Sequence, residues 1–326
     1  MSKRRINDQQ NQRIHQKQAR YHERVQSTTN TTLSEGLVIT RFSRLALIED
    51  VADGRQLRCS MRPEITSLVA GDKVIWQPED KNHGVVLSLH PRQSVLIRPN
   101  ERGLLKPVAA NITQMMITIA PIPVVSWTLL DSYSVMAETL RTRACIVLNK
   151  TDLPCDDIML RLTQQYKPLG YSILQTNKQI LVHDEALINT LNGQTSVFVG
   201  QSGTGKSTII SNFIPETETI LTGDVATSSK LGRHTTSNSR LYHLEGGGNL
   251  IDSPGIREFG LWDMPARQIA EGFREFRAPI SQCQFRNCSH QNTPGCAVMN
   301  ALNAGVISQQ RYESYIKLIE KFTGES

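Results

Sequence analysis

Gly200-Gln201-Ser202-Gly203-Thr204-Gly205-Lys206-Ser207 constrains this chain more than any other stretch, because it fits the phosphate-loop pattern G-x-x-x-x-G-K-[ST]. An apolar, strand-like run, Ser196-Val197-Phe198-Val199, precedes it, and a helical pattern begins near Lys206. A chance Gly/Ser loop with a solvated lysine needs neither flank. In that context the glycines let successive backbone N–H groups converge on phosphate oxygens, and the helix N-terminus adds its favourable potential. Lys206 is then placed for the β and γ phosphates and Ser207 for Mg²⁺. Strand-like Gln114-Met115-Met116-Ile117-Thr118-Ile119-Ala120, helix-like 129–141 and strand-like Ala144-Cys145-Ile146-Val147-Leu148 come earlier in the chain. Strands alternating with helices predict a mostly parallel sheet between helical layers, with ligands at the carboxyl ends of its strands.

Two further motifs gain meaning beside that loop. Leu250-Ile251-Asp252-Ser253-Pro254-Gly255 ends an apolar strand with an acid and a glycine, 45 residues past Ser207. By itself it is an ordinary strand-to-turn junction. With the phosphate loop, Asp252 becomes a candidate for the Mg²⁺ shell and the Gly255 amide for the γ phosphate. Asn149-Lys150-Thr151-Asp152 follows the Ile146-Val147-Leu148 strand. A carboxylate there can accept hydrogen bonds from guanine N1–H and the exocyclic amine, donors that adenine does not present in that arrangement. Together the motifs point to GTP rather than ATP. Their order is unusual: the base-reading motif precedes the phosphate loop, as in a circularly permuted GTPase, a rearrangement that leaves a site intact when the original termini lie close together.

The remainder of the chain sets the surroundings. At 326 residues there is room for two domains and a small third. The run from Ile112 to Val125 is broken by polar residues and two prolines and falls short of the ~20 apolar residues a membrane helix needs. No apolar leader follows the basic N-terminus, so a cytoplasmic protein without a membrane partner is expected. Of the net charge of +6, a surplus of five sits in residues 1–30, where seven Lys/Arg face Asp8 and Glu23 in a Gln/Asn/Thr-rich arm. Such an arm serves solubility or a polyanion. From Glu35 to about Pro99, five short strands (at 36–39, 45–48, 56–59, 74–76 and 84–87) with turns at Asp53-Gly54 and Gly71-Asp72 predict a small barrel, the oligonucleotide-binding type among the candidates.

The last 63 residues are mainly helical in pattern, interrupted by Cys283-x4-Cys288-x-His290-x5-Cys296. Three thiolates and an imidazole within 14 residues can close a tetrahedral Zn²⁺ site that supplies folding energy to a small segment. The alternative is unlinked thiols and a surface histidine. Cys59 and Cys145 lie in apolar runs and read as core; Cys155 follows Pro154 and is ambiguous.

The strand-rich start, the permuted motifs, Gly232-Arg233-His234-Thr235-Thr236 and the Cys/Cys/His/Cys knuckle together resemble the ribosome small-subunit-dependent GTPases, the RsgA/YjeQ family, over roughly residues 35–320. The resemblance implies a multidomain architecture: a flexible basic arm (1–34), an all-β OB-type barrel that binds RNA (35–105), an α/β circularly permuted P-loop GTPase domain (106–262) and a mainly helical zinc-binding domain (263–326). It further implies binding to the small (30S) ribosomal subunit and its 16S rRNA late in maturation, with GTP hydrolysis to GDP coupled to release, by a monomeric chain. By resemblance, the nucleotide contacts are Asn149, Lys150, Thr151, Asp152, Gly200, Gln201, Ser202, Gly203, Thr204, Gly205, Lys206, Ser207, Thr208, Thr235, Thr236, Asp252 and Gly255. Ser207, Thr236 and Asp252 hold Mg²⁺; Cys283, Cys288, His290 and Cys296 hold one structural Zn²⁺. The residue after Gly255 is Ile256, which has no polar atom to orient water, so His234 takes that role beside Lys206 and Thr236. Two departures stand out: the second base-contacting segment reads Ile173-Leu174-Gln175-Thr176 where the family has Ser-Ala, and Glu245-Gly246-Gly247-Gly248 is a loose approach to Asp252. The rival readings are a nucleoside-triphosphatase acting on a metabolite or metal centre, and an RNA-binding module in which the nucleotide is only a switch.

Overall fold

The computed structural model describes residues 33–65, 67–99, 104–214, 239–253, 264–291 and 293–323. Residues 1–32 of the basic arm, the 232–236 segment and Gly255 fall outside them, while Ser34, counted in the arm, opens the first strand. The chain divides into two compact units, one built on the N-terminal strands and one on the rest.

In the first unit, β1 (Ser34–Arg41), β2 (Leu45–Asp50), β3 (Gln56–Met61), β4 (Lys73–Pro78) and β5 (His83–Leu89) follow the order β1-β2-β3-β5-β4. A further β1–β4 pairing, with Ser34 opposite Trp76, closes the barrel. All five expected strands are present. Alternation drives each inward: Val38, Ala46, Ile48, Leu57, Cys59, Val74, Trp76 and Val86 fill the core. The indole of Trp76 fits because Gly36 and Gly84 flank it; a Cβ at either would come within 2.8 Å of its ring. β6 (Val95–Pro99) and β7 (Leu105–Ala110), which pair as a ribbon, escaped the sequence pattern. Asn111 Nδ2 donates to the Gly71 carbonyl at 2.8 Å and anchors the ribbon's end to the barrel.

The second unit carries β8 (Gln114–Ile119), α1 (Trp127–Thr139), β9 (Arg143–Leu148), α2 (Asp156–Arg161), β10 (Ser172–Gln175), α3 (Glu185–Leu191), β11 (Thr195–Val199), α4 (Lys206–Phe213), Tyr242 and His243 of β12 (Arg240–His243), and β13 (Asn249–Asp252). Strands β10, β9, β8, β11 and β13 lie side by side, all parallel. Every residue of β8 is buried, which is why it reads as an apolar run without alternation. Helix α1 starts two residues earlier than the sequence pattern suggests and stops at Thr139, because Arg141 turns to φ 54°, outside helical space.

The same unit continues into α5 (Ala266–Gly272), a 3₁₀ turn (Arg274–Phe276), α6 (Arg277–Ile280), α7 (Ala297–Asn303) and α8 (Gln309–Thr323). Phe273, Phe276 and Tyr315 pack ring on ring at 5.0–5.8 Å between centroids. A buried charge cluster fixes α8 to α1. Arg311, on α8, grips Asp131 of α1 and donates to both Glu275 carboxylate oxygens at 2.6 and 3.0 Å. Tyr166 adds a hydroxyl donor to Asp131 at 2.8 Å. Seven residues along α1, Glu138 accepts from Arg274 at 2.7 Å and Arg277 at 2.6 Å, so one face of α1 anchors the helical segment twice. No described helix is long and apolar enough to cross a membrane.

Candidate nucleotide site and metal centre

The phosphate loop leaves β11 at its carboxyl end, and the Asn149 loop leaves β9 at the same edge, with β8 between them. Each turn of the phosphate loop needs glycine. Gly200, Gly203 and Gly205 sit at φ 139°, 81° and 94°, and a Cβ on Gly200 or Gly205 would come within 2.2 Å of the Thr118 carbonyl oxygen or Asn149 Nδ2.

Asn149 and Lys150 join the two loops. The buried Asn149 side chain donates to the Thr204 carbonyl at 2.9 Å. Lys150, at φ 61°, sends Nζ to the carbonyls of Gly203 at 2.7 Å and Ile122 at 2.8 Å. Thr204 Oγ1 donates to the Gln201 carbonyl at 2.9 Å, and Lys206 Nζ folds onto the carbonyls of Gly200 and Gln201 at 2.8 and 2.6 Å. The loop is therefore shaped by its own hydrogen bonds, and Lys206 must exchange carbonyls for phosphate oxygens when an anion enters. Ser207 and Thr208 lie in the first turn of α4, Gln201 and Ser202 in the loop itself. β11 and β13 run in parallel with Ser196 opposite Leu250, which carries Asp252 to the edge where the phosphate loop begins.

The structure thus brings Asn149, Lys150, Thr151, Asp152, the whole of Gly200 to Thr208 and Asp252 to one edge of one sheet. Thr235, Thr236, His234 and Gly255 lie outside the described residues. The second base-side segment differs in detail from the sequence reading. Ile173 to Gln175 belong to β10, paired with β9, and it is Thr176 and Asn177 that touch the base loop.

The knuckle gathers Cys283, Cys288, His290 and Cys296, whose ligand atoms all lie within 4.8 Å of one another. His290 Nδ1 is 3.6 Å from Cys283 Sγ and 3.7 Å from Cys296 Sγ. Tetrahedral zinc, with sulfur at about 2.3 Å and nitrogen at about 2.0–2.1 Å, sets such edges at about 3.5–3.8 Å, so the donor set fits a four-coordinate metal. The loop reaches this shape through backbone that few residues adopt: His290 sits at φ 56° and Gly295 at 71°. Tyr312 and Tyr315 of α8 donate to the His290 and Ser289 carbonyls at 2.8 and 2.9 Å and hold it from behind. Burial lowers the His290 pKa, which favours the neutral imidazole a metal requires, and pushes the Cys296 thiol up to about 11. Burial also opposes the Cys288 thiolate, but the His290 N–H and neighbouring side-chain donors more than offset it and pull that thiol below its ordinary value.

The model for the RsgA GTPase family matches residues 89–262. The small ribosomal subunit biogenesis GTPase RsgA of Yersinia pseudotuberculosis serotype O:1b (strain IP 31758) is 44% identical over 296 residues, covering 88% of this chain and 84% of that protein. Its counterpart in Proteus mirabilis (strain HI4320) is 40% identical over 98% of this chain and 94% of its own length. The chain belongs to the RsgA GTPase family. Among solved structures, YjeQ from Thermotoga maritima superposes with a TM-score of 0.73 at 26% identity, over 90% of this chain and all of that one. YloQ, described as a circularly permuted GTPase, gives 0.72 at 26% identity, over 90% and 96%. The order of loops in this RsgA-family chain, base loop before phosphate loop on one parallel sheet, is that permutation.

Proposed function

We propose that this chain is a GTPase of small ribosomal subunit biogenesis that binds the immature 30S particle through 16S rRNA, in the cytoplasm, and leaves it when GTP is hydrolysed. GTP hydrolysis follows from the family; the subunit follows from the names of relatives at 40–44% identity. The observation that carries the reading is the joining of the two loops: Asn149 and Lys150 bond the backbone of the loop that Lys206 closes, so base recognition and phosphate binding form one rigid edge.

In this reading Asp152 accepts from the guanine edge, Lys206 and the N–H groups of Gly203 to Thr208 receive the phosphates, and Ser207, Thr236 and Asp252 hold Mg²⁺. Bound by these residues, Mg²⁺ would supply neutralisation of charge on the phosphate oxygens. Water attacks the γ phosphorus in line, the bond to the bridging oxygen breaks, and GDP and phosphate leave; the chain's part is positioning and charge stabilisation. His234 orients the water, since Ile256 has no polar atom to do so. The knuckle holds Zn²⁺ as a structural ion, and the barrel and helical segment contact RNA. Co-sedimentation of the full chain with purified small subunits, with a non-hydrolysable GTP analogue and with GDP, tests this. Retention with the analogue and loss with GDP is expected; equal retention in both, or none in either, contradicts it.

A further inference from the structure

The two residues after β10 make contacts that the strand itself does not require. The Thr176 carbonyl accepts from the Thr151 backbone N–H at 3.2 Å and from the Thr151 hydroxyl at 3.1 Å. The same hydroxyl oxygen accepts a hydrogen bond from Asn177 Nδ2 at 3.2 Å. Asn177 is held at its other end too, because its Oδ1 accepts from the N–H groups of Gln179 and Ile180 at 3.0 and 3.2 Å. Thr151 lies between Lys150, whose Nζ is fixed on the Gly203 and Ile122 carbonyls, and the exposed Asp152. One side of the base loop is therefore tied to the phosphate loop, and the other to Thr176 and Asn177.

We propose that Asn177 is a positioning residue for guanine selectivity: by fixing the Thr151 hydroxyl it fixes the direction of the adjacent Asp152 carboxylate. This rests on the reading of Asn149 to Asp152 as the loop that meets the base. A carboxylate separates guanine from hypoxanthine only when both of its oxygens are aligned, one on N1–H and one on the exocyclic amine that hypoxanthine lacks. A carboxylate free to swing keeps one of those bonds and loses the benefit of the second. An asparagine suits the position because it donates to Thr151 from one side-chain atom and terminates its own turn with the other.

The test is calorimetric binding of GDP and IDP to the full chain with Mg²⁺, for the native protein, N177A, N177S, T151V and the N177A/T151V pair, alongside the small-subunit-stimulated kcat of N177A. The native protein is expected to prefer GDP. N177A narrows the GDP-to-IDP ratio by about tenfold, the effect of one lost well-placed hydrogen bond, with kcat at saturating GTP unchanged. N177S, which keeps a short donor, restores the ratio. T151V, which also removes the hydroxyl's bond to the Thr176 carbonyl, narrows the ratio at least as far as N177A, and the pair is no worse than T151V alone because the bond between the two side chains is already gone. An unchanged ratio in N177A, or equal weakening of GDP and IDP, overturns the proposal and leaves Asn177 as a turn cap alone. A native protein that binds GDP, IDP and ADP alike overturns the base-loop reading itself.

Discussion

The phosphate loop and the Cys/His knuckle are both irregular segments built to hold charge, yet they keep their shapes by opposite means. The phosphate loop is bonded to itself and to the base loop: Thr204 to Gln201, Lys206 to Gly200 and Gln201, Asn149 to Thr204, Lys150 to Gly203. Three glycines at positive φ remove the steric objection to that path. The knuckle instead gathers three thiols and an imidazole whose ligand atoms lie within 4.8 Å of one another, a donor set suited to a structural metal ion. One site is suited to a ligand that comes and goes, the other to a metal that stays. A bound nucleotide should therefore add function and a bound metal should add fold.

Metal removal breaks that comparison most severely if it is wrong. Chelation at neutral pH should unfold the knuckle and loosen α7 and α8, with a stability loss on the order of 10 kcal/mol for a structural zinc site, seen as lost ellipticity and a lower Tm, while GDP affinity persists. Next in size is Arg311. R311A leaves Asp131 and Glu275 buried without their cation, and should cost about 3–5 kcal/mol in urea denaturation. Replacing Arg311, Asp131 and Glu275 together with apolar residues of similar volume should cost far less. K206A should lower stimulated GTP hydrolysis by about 10²–10³-fold with a smaller change in Tm than R311A produces, since its effect falls on the ligand rather than on the fold.

The thiols give the smallest signal. Burial pushes Cys59 and Cys145 each up to about 12 from an ordinary 9.0. Both stay protonated in the folded chain after the unfolded chain has begun to ionise, so stability falls as pH rises from about 9 toward about 12 and is unaffected by these groups below 9. A thiol-labelling reagent at pH 7 should leave both unmodified before and after chelation. Cys283, Cys288 and Cys296 should become reactive only once the metal is removed.

Much of the nucleotide site was legible because its chemistry is carried by short runs of fixed spacing. Gly200 to Ser207 and Asn149 to Asp152 name their own geometry, and the buried strands β8, β9 and β11 announce a parallel sheet. The five barrel strands were equally readable from their alternation and their turns. The ribbon of β6 and β7 was not, since Pro99 and Pro107 interrupt the pattern and pairing, rather than apolar alternation, makes them strands. Arg311, Asp131 and Glu275 were silent for another reason: charged residues scattered over 180 positions become one buried cluster only when α1 and α8 pack. Asn177 escaped because its partner is Thr151, the variable position of the base motif, so nothing in either segment names the other.

The measurement that tests the account most directly is steady-state GTP hydrolysis with Mg²⁺ by the full chain, alone and with purified small, large and assembled ribosomal particles, with ATP as the competing nucleotide. Stimulation confined to GTP and to small subunits is the predicted result. A rate unchanged by small subunits, or an equal turnover of ATP, would contradict it.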